Sequence, residues 1–363
     1  MLWLSIPLVA VVAVYVYLVA RCCWAFRFSG DGGFHADTTL PQADIIVAAK
    51  NEEANVGALA DSLRNQTHEK THLIFVDDHS TDSTAEAIMR NPLPDMLLLR
   101  NPGHGKKDSI RFALQSAQSP YILFTDADCV PSHEWCASMV STAESCNADI
   151  VMGPVLIEPR DCGSVFQRLW QAESFALITI TGGSCMYGHP VMCNGGNIGY
   201  RGDFIRNSVG DIKPRYASGD DMFMMESAQR QRRRFAYCRM QQAVVRTMGP
   251  DSIGGLLRQR ARWVSKTGGY TDWYILFFAF MILLGNLSAI AASVFLLMEA
   301  VPWYLSLGVL AAKFAVDYAS VMVSSRFYGV DLKLFDVLLL ELVYPYYVLA
   351  SIVTYAVRGV RWK

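Results

Sequence analysis

The chain has 363 residues, 52% hydrophobic and 18% charged, with a formal net charge of −1. The charged share lies below the roughly 25% of an ordinary soluble domain, and the near-neutral balance argues against nucleic acid as a partner, because a nucleic-acid-binding domain is normally basic. Nine cysteines without a Cys-x-x-Cys pair argue against a zinc site and fit a reducing compartment better than a disulfide framework.

The apolar excess sits at the ends of the chain. Leu2–Ala20 carries no charge and is long enough to cross a bilayer at about 1.5 Å rise per residue. It reads as an N-terminal transmembrane anchor over residues 1–21. A cleaved signal peptide fits less well: no basic segment precedes the stretch, and Arg21-Cys22-Cys23-Trp24 stands where a small-residue cleavage site belongs.

From residue 44 short apolar runs alternate with helical stretches. Strands are predicted at Asp44–Ala49, Leu73–Val76, Met96–Leu99 and Tyr121–Phe124. Helices are predicted at Asn55–Arg64, around Thr81–Met89 with Ser80 and Thr81 as caps, and at Ser109–Ser116. Strands separated by helices imply a mostly parallel sheet, hence an α/β domain. Further on, Phe166–Trp170 and Phe175–Ile180 form an amphipathic stretch, read as core packing or as an interfacial helix. Arg230, Arg232, Arg233 and Arg234 read as a solvated face, with anionic lipid headgroups as a second choice. His79, His104 and His189 read as turn or surface residues.

The C-terminal region, residues 273–357, contains three more apolar segments. These are Trp273–Met298, Trp303–Val323 with Lys313 and Asp317, and Val337–Val357 with Glu341 and Pro345. Lys313 and Asp317 share a helix face and Glu341 is a partner from the next helix, which predicts a buried packing salt bridge. Arg21, Arg27, Arg258, Arg260, Arg262 and Lys266 flank the middle of the chain and by the positive-inside rule place it in the cytoplasm. The membrane is read as a bacterial inner membrane. Three full C-terminal spans would put Arg358, Arg361 and Lys363 outside, so one segment is expected to be re-entrant or interfacial, with Pro345 a candidate break.

In an open parallel sheet, ligands gather at the carboxyl ends of the strands. There the chain places Lys50-Asn51-Glu52-Glu53, then Asp77-Asp78-His79-Ser80-Thr81-Asp82, then Thr125-Asp126-Ala127-Asp128. Carboxylates one residue apart suit a hard divalent ion, Mg²⁺ or Mn²⁺, completed by water and phosphate oxygens. Gly103-His104-Gly105-Lys106-Lys107 precedes a helix and offers backbone N–H groups and lysine charge to a phosphate, without the full P-loop pattern of an ATPase.

The ordered series AAKNEEANV, VDDHSTD, GHGKKDSI, TDAD, NGGNIGYR, SGDD and QRARW, from about residue 42 to 267, resembles the family 2 glycosyltransferases of GT-A fold. The flanking apolar segments point to the membrane-embedded branch with cellulose, chitin and hyaluronan synthases and ceramide glucosyltransferase. The resemblance implies a GT-A domain over residues 42–267. It implies a donor pocket of Ala48, Asn51, Glu52, Asp77 and Asp78, with the acids receiving base N–H and ribose hydroxyls. It places Lys106 near the donor diphosphate, Asp128 as the direct metal ligand, and Asp126 nearer the sugar or ribose while sharing the metal site. Asp221 stands for the general base, beside Asp220. Gln259, Arg262 and Trp263 stand for the QxxRW signature, which closes over the diphosphate and shapes the acceptor opening. Asn194-Gly195-Gly196-Asn197 resembles the acceptor-side loop. Ala48 stands where a proline is frequent, and Lys107 where a small residue is usual, which leaves open which lysine serves.

The implied chemistry is coherent. A metal, a lysine and an arginine stabilise the departing diphosphate, and one carboxylate takes the acceptor proton. One base and one stabilised leaving group predict inversion. The resemblance implies a uridine nucleotide-sugar donor, and about four apolar segments, few for a polymer channel, favour transfer of one sugar to a lipid or lipid-linked glycan. Rival readings are a processive polysaccharide synthase, which would usually need six or more spans, a nucleotidyltransferase, and a non-catalytic membrane subunit.

Overall fold

The structure is a computed structural model describing residues 2–30, 40–90, 92–93, 95–211 and 219–358. Ser218 of the SGDD run, Arg361 and Lys363 lie outside the described residues, as does the side chain of Arg358.

In chain order the elements are α1 (Leu2–Phe28), β1 (Ala43–Ala49), α2 (Val56–Arg64), β2 (Thr71–Asp77), α3 (Thr84–Arg90), β3 (Met96–Arg100), α4 (Lys106–Ser116), β4 (Tyr121–Phe124), β5 (Cys129–Pro131) and α5 (Trp135–Ser145). They continue through β6 (Ile150–Met152), β7 (Val155–Glu158), α6 (Val165–Met186), β8 (Ile198–Arg201), α7 (Gly202–Ser208), α8 (Asp220–Arg230), β9 (Phe235–Tyr237) and β10 (Val245–Met248). The last four are α9 (Ile253–Thr267), α10 (Trp273–Leu297), α11 (Trp303–Tyr328) and α12 (Leu334–Arg358). The chain divides into two compact units. One comprises Gly30–Glu158 and Cys193–Met248, the other Met1–Ser29, Pro159–Met192 and Gly249–Val360. This division runs through the span 42–267: residues 159–192 and 249–267 form helices whose apolar faces bury against other helices, so they group with the helical unit.

In the sheet unit, the described strands form a seven-stranded sheet of order β3-β2-β1-β4-β8-β6-β9, with β8 the antiparallel member, and a small sheet of order β5-β10-β7. The β1 run Asp44-Ile45-Ile46-Val47 is buried on both faces, as a strand covered by crossover helices requires. Helix α2 buries Val56, Leu59, Ala60 and Leu63, the i, i+3, i+4, i+7 stripe of an amphipathic helix. Helix α3 begins at Thr84, later than predicted. Asp82 accepts the Thr84 N–H at 3.1 Å, while Ser80 and Thr81 bond to Asn51 instead of capping a helix.

Asn197 ties the two sheets together. It is 1% exposed, donates to the carbonyls of Pro154 and Ala243 at 2.8 Å, and accepts the indole N–H of Trp135 at 2.8 Å.

In the helical unit, α6 packs on α1, α11 and α12, and α9 on α12. The amphipathic stretch is therefore core packing: Trp170, Phe175, Ile178 and Ile180 are buried. Gly183 allows the α1–α6 approach, since a Cβ there would lie 2.2 Å from the Cys22 carbonyl oxygen. Among the described residues, four helices are long and apolar enough to cross a membrane: Ser5–Phe28, Trp273–Leu297, Trp303–Tyr328 and Leu334–Val357. The predicted salt bridge forms, with Lys313 Nζ 2.7 Å from Asp317 and 2.6 Å from Glu341. The Tyr15 hydroxyl donates to Asp317 at 2.6 Å, so α1, α11 and α12 share one polar knot. Pro345 lies inside α12 without interrupting it, so the segment carries no break there. His189 pairs with Asp272 at 3.4 Å.

Replacing Asn197 with alanine strands the Trp135 indole N–H and the Ala243 carbonyl, while the Pro154 carbonyl keeps the Val245 N–H at 3.0 Å. The expected loss is roughly 2–5 kcal/mol, read as a lowered unfolding midpoint of the purified protein in detergent. An unchanged midpoint would contradict the tie between the sheets.

Candidate active site

Strands β1, β2, β3 and β4 run parallel, so their carboxyl ends share one edge of the sheet. Antiparallel β8 brings the preceding residues, 194–197, to that same edge. The strand order 3-2-1-4 changes direction between β1 and β4, where such sheets leave a crevice.

The loops at this edge are laced by the polar residues that the sequence places there. Asn51, at φ 55°, accepts the Thr81 N–H at 2.8 Å, and its own N–H reaches Ser80 Oγ at 3.0 Å. The Glu52 N–H donates to Thr84 Oγ1 at 2.8 Å, and Glu53 accepts the Ser83 N–H at 3.2 Å. Asp77 accepts the Ser80 N–H at 3.2 Å.

Asp78 differs from the open acceptor expected of it. It is 2% exposed, and one of its oxygens takes the Asn101 amide at 2.6 Å and the Gly105 N–H at 2.8 Å. The other faces Lys50 at 3.4 Å. Protein donors already engage both oxygens, so Asp78 braces the loop that starts α4. Gly105 makes that turn at φ 88°, a backbone region costly for any residue with a Cβ.

The two adjacent lysines then diverge. Lys107 is buried with its ammonium 5.2 Å from the centre of the Phe223 ring. Lys106 donates to Asp126 and lines a cleft of about 430 Å³ with Ala48, Thr125, Gly195, Asp220 and Asp221, over an apolar floor that includes Ile46, Phe124 and Tyr200. Burial by itself would lower the Lys106 pKa, but the carboxylates of Asp126, Asp220 and Asp221 outweigh it and the net direction is upward. Lys106 therefore stays an ammonium. Burial raises the Asp220 acid, Lys106 pulls it back, and Asp221 and Asp126 add to the rise. Asp221 is fixed at the start of α8, accepting the Met222 N–H at 2.8 Å and the Gly195 N–H at 3.2 Å.

Asp126, Asp128 and Cys129 bring one ligand atom each to within 4.8 Å of one another. Protein crowding, then the charges of Asp126 and Glu52, push the Asp128 acid up to about 6, although its surface reaches solvent. Carboxylate oxygens that repel one another this way fit a hard divalent cation. Cys129 does not fit that set: burial holds its thiol well above its ordinary pKa, and a neutral thiol is a poor ligand for Mg²⁺ or Mn²⁺.

Gln259, Arg262 and Trp263 lie on α9 of the helical unit. In the sheet unit, Ala48, Lys106, Asp220 and Asp221 share the cleft, with Asp126 bonded to Lys106. Sequence reasoning missed Thr125, whose buried hydroxyl lines the cleft without a hydrogen-bond partner among the described residues. Its place next to the DxD pair was the available signal.

Residues 44–207 match the family model described as glycosyl transferase family 2. That match takes in less than half of the chain. An uncharacterized glycosyltransferase of Haemophilus influenzae is 27% identical over 130 residues, 34% of this chain and 40% of that protein. The candidate glycosyltransferase EpsH of Bacillus subtilis is 26% identical over 125 residues, 34% of this chain and 36% of that protein. The matched stretch thus spans well under half the length of these curated relatives. Among solved structures, the mannosyltransferase PcManGT of Pyrobaculum calidifontis, in complex with GDP-Man and Mn²⁺, aligns over 98% of this chain and 99% of its own at a TM-score of 0.60 and 16% identity. The domain has the GT-A fold, α/β with a mostly parallel sheet, in a chain with apolar helices at both ends.

Exchanging Asp128 for alanine should weaken Mn²⁺ binding by more than about 100-fold, beyond the loss of an outer-shell partner. Electron paramagnetic resonance titration of free Mn²⁺ reads this directly, and unchanged affinity would remove Asp128 from the metal site.

Proposed function

We propose that this protein is an inverting, metal-dependent glycosyltransferase. It moves one sugar from a nucleotide-diphosphate sugar to a lipid or lipid-linked glycan at the cytoplasmic face of a membrane, with residues 1–21 and 273–357 as the membrane regions. The observation that carries this reading is the single cleft in which Lys106, held against Asp126, faces Asp220 and Asp221.

The division of labour follows from charge. Lys106 is the permanent cation that meets the diphosphate as negative charge develops on it. A divalent ion held by Asp126 and Asp128 would add positive charge against the same oxygens. Asp221, half-buried and aimed by two backbone N–H groups, takes the proton of the acceptor hydroxyl. Asp220 keeps the pocket negative beside it. Asn51, Glu52 and Asp77 remain the candidate nucleoside contacts. Gln259, Arg262 and Trp263 keep the role their motif implies. A single base opposite a stabilised leaving group favours inversion.

The GDP-Man and Mn²⁺ of the Pyrobaculum protein support a nucleotide sugar with a divalent cation, and a uridine donor is what the motifs imply. Four membrane-length helices among the described residues favour single addition over processive synthesis.

The test is nucleotide release by detergent-purified protein with UDP- and GDP-sugars, Mn²⁺ or Mg²⁺ and a membrane lipid extract. Metal-dependent release with a labelled lipid product is expected; silence across all donors would defeat the reading. Asp221→Asn should lower transfer by roughly 10²–10⁴-fold while donor affinity, by calorimetry, stays nearly unchanged. Parallel loss of both would move the base elsewhere.

A further inference from the structure

The QxxRW signature specifies residues 259, 262 and 263 and leaves 260 and 261 open. In this chain position 260 is an arginine, 7% exposed, and it is anchored from three helices. Its guanidinium carbon lies 3.9 Å from the centre of the Trp263 ring, one helical turn away on α9. Nη2 stands 2.9 Å from Glu173 on α6, and Nε donates to the Tyr347 hydroxyl on α12 at 2.8 Å. The guanidinium carbon also lies 5.2 Å from the centre of the Trp170 ring on α6.

We propose that Arg260 is a positioning residue for Trp263, a flat cationic platform held in place by Glu173 and Tyr347 that sets the orientation of the motif's indole. A guanidinium is planar, so it can donate in its plane while a ring lies over its face; an ammonium cannot do both. The stacking is strengthened because the guanidinium is largely removed from water. The arrangement favours orientation over stability. A buried ion pair is often no more stabilising than apolar residues of equal volume, and Nη1 of Arg260 has no acceptor among the described residues. Arg262, the arginine that the motif does specify, lies on the same helix and has its pKa lowered by burial and by Arg258.

The inference rests on the transferase reading only for its kinetic part. The protein has eight tryptophans, so full-length protein labelled with 5-fluorotryptophan gives a fluorine spectrum in which Trp263→Phe assigns the Trp263 line. Arg260→Lys and Tyr347→Phe should each shift or broaden that line, with only the Trp170 line following. Arg260→Lys should also lower kcat at a nearly unchanged melting midpoint. If Arg260→Lys does not fold, Tyr347→Phe carries the spectroscopic test by itself. In a double-mutant cycle, Arg260→Ala and Trp263→Ala should cost no more together than the worse of the two.

A Trp263 line that ignores both substitutions, or a double mutant with multiplied losses, overturns the proposal. Wild-type transfer by Trp263→Ala, with the line still following Arg260, overturns instead the role of the motif in transfer and with it the kinetic part.

Discussion

The ammonium of Lys106 faces the carboxylates of Asp126, Asp220 and Asp221 across one cleft, and the rest of the sheet unit is arranged around keeping it there. Lys106 is the first residue of α4, so its direction depends on the turn before it. That turn depends on Gly105 and on Asp78, which holds the Gly105 N–H and the Asn101 side chain. An acid at the end of β2 thus fixes a cation at the start of α4, and the cation in turn lets three carboxylates stand close together. Without it their mutual repulsion would favour protonation or separation. The Asp126 and Asp128 carboxylates follow the same charge logic: burial and the charges of Asp126 and Glu52 raise the Asp128 acid, a strain that a divalent cation would relieve.

The helical unit obeys a related constraint with different means. Its helices are apolar enough that an unpaired charge would be costly, and their ionisable groups are knotted across helices. Lys313 meets Asp317 and Glu341. Arg168 meets Asp336, itself 1% exposed, at 3.1 Å. Arg260 meets Glu173. Each pair joins different helices or successive turns of one, so polar groups specify which helix sits where in a unit whose apolar faces would tolerate several arrangements. The Gly183–Cys22 contact adds a steric key to these electrostatic ones.

Where the structure departs from expectation, the cause is a partner distant in the chain. Ser80 and Thr81 look like helix caps by spacing, yet Asn51 and its backbone claim them from a different loop. Asp78 looks like a ligand-facing acid until Asn101 and Gly105 are found on it. Pro345 looks like a helix breaker, but α12 passes through it, as apolar helices packed on neighbours often do. The span 42–267 reads as one domain, while residues 159–192 and 249–267 group with the helices because their apolar faces are buried there.

Local pattern was enough to determine the alternating strands and helices, the acidic strand ends, the DxD pair and the four apolar segments, because periodicity, β-branching and charge-free length act over a few residues. It also supplied the Lys313, Asp317 and Glu341 grouping, since two of the three lie one helical turn apart. Only the tertiary structure decided between Lys106 and Lys107, which differ by a rotation of about 100° around one helix and are separated by what Phe223 and Asp126 offer them. Tertiary structure also decided that Asp78 braces while Asp221 lines the cleft, and that the unspecified Arg260 stacks on Trp263. The outcomes for Lys106, Lys107 and Asp78 depend on contacts between residues from 20 to more than a hundred positions apart, and the Arg260 stack, though within one helix, is held by Glu173 and Tyr347 from two others.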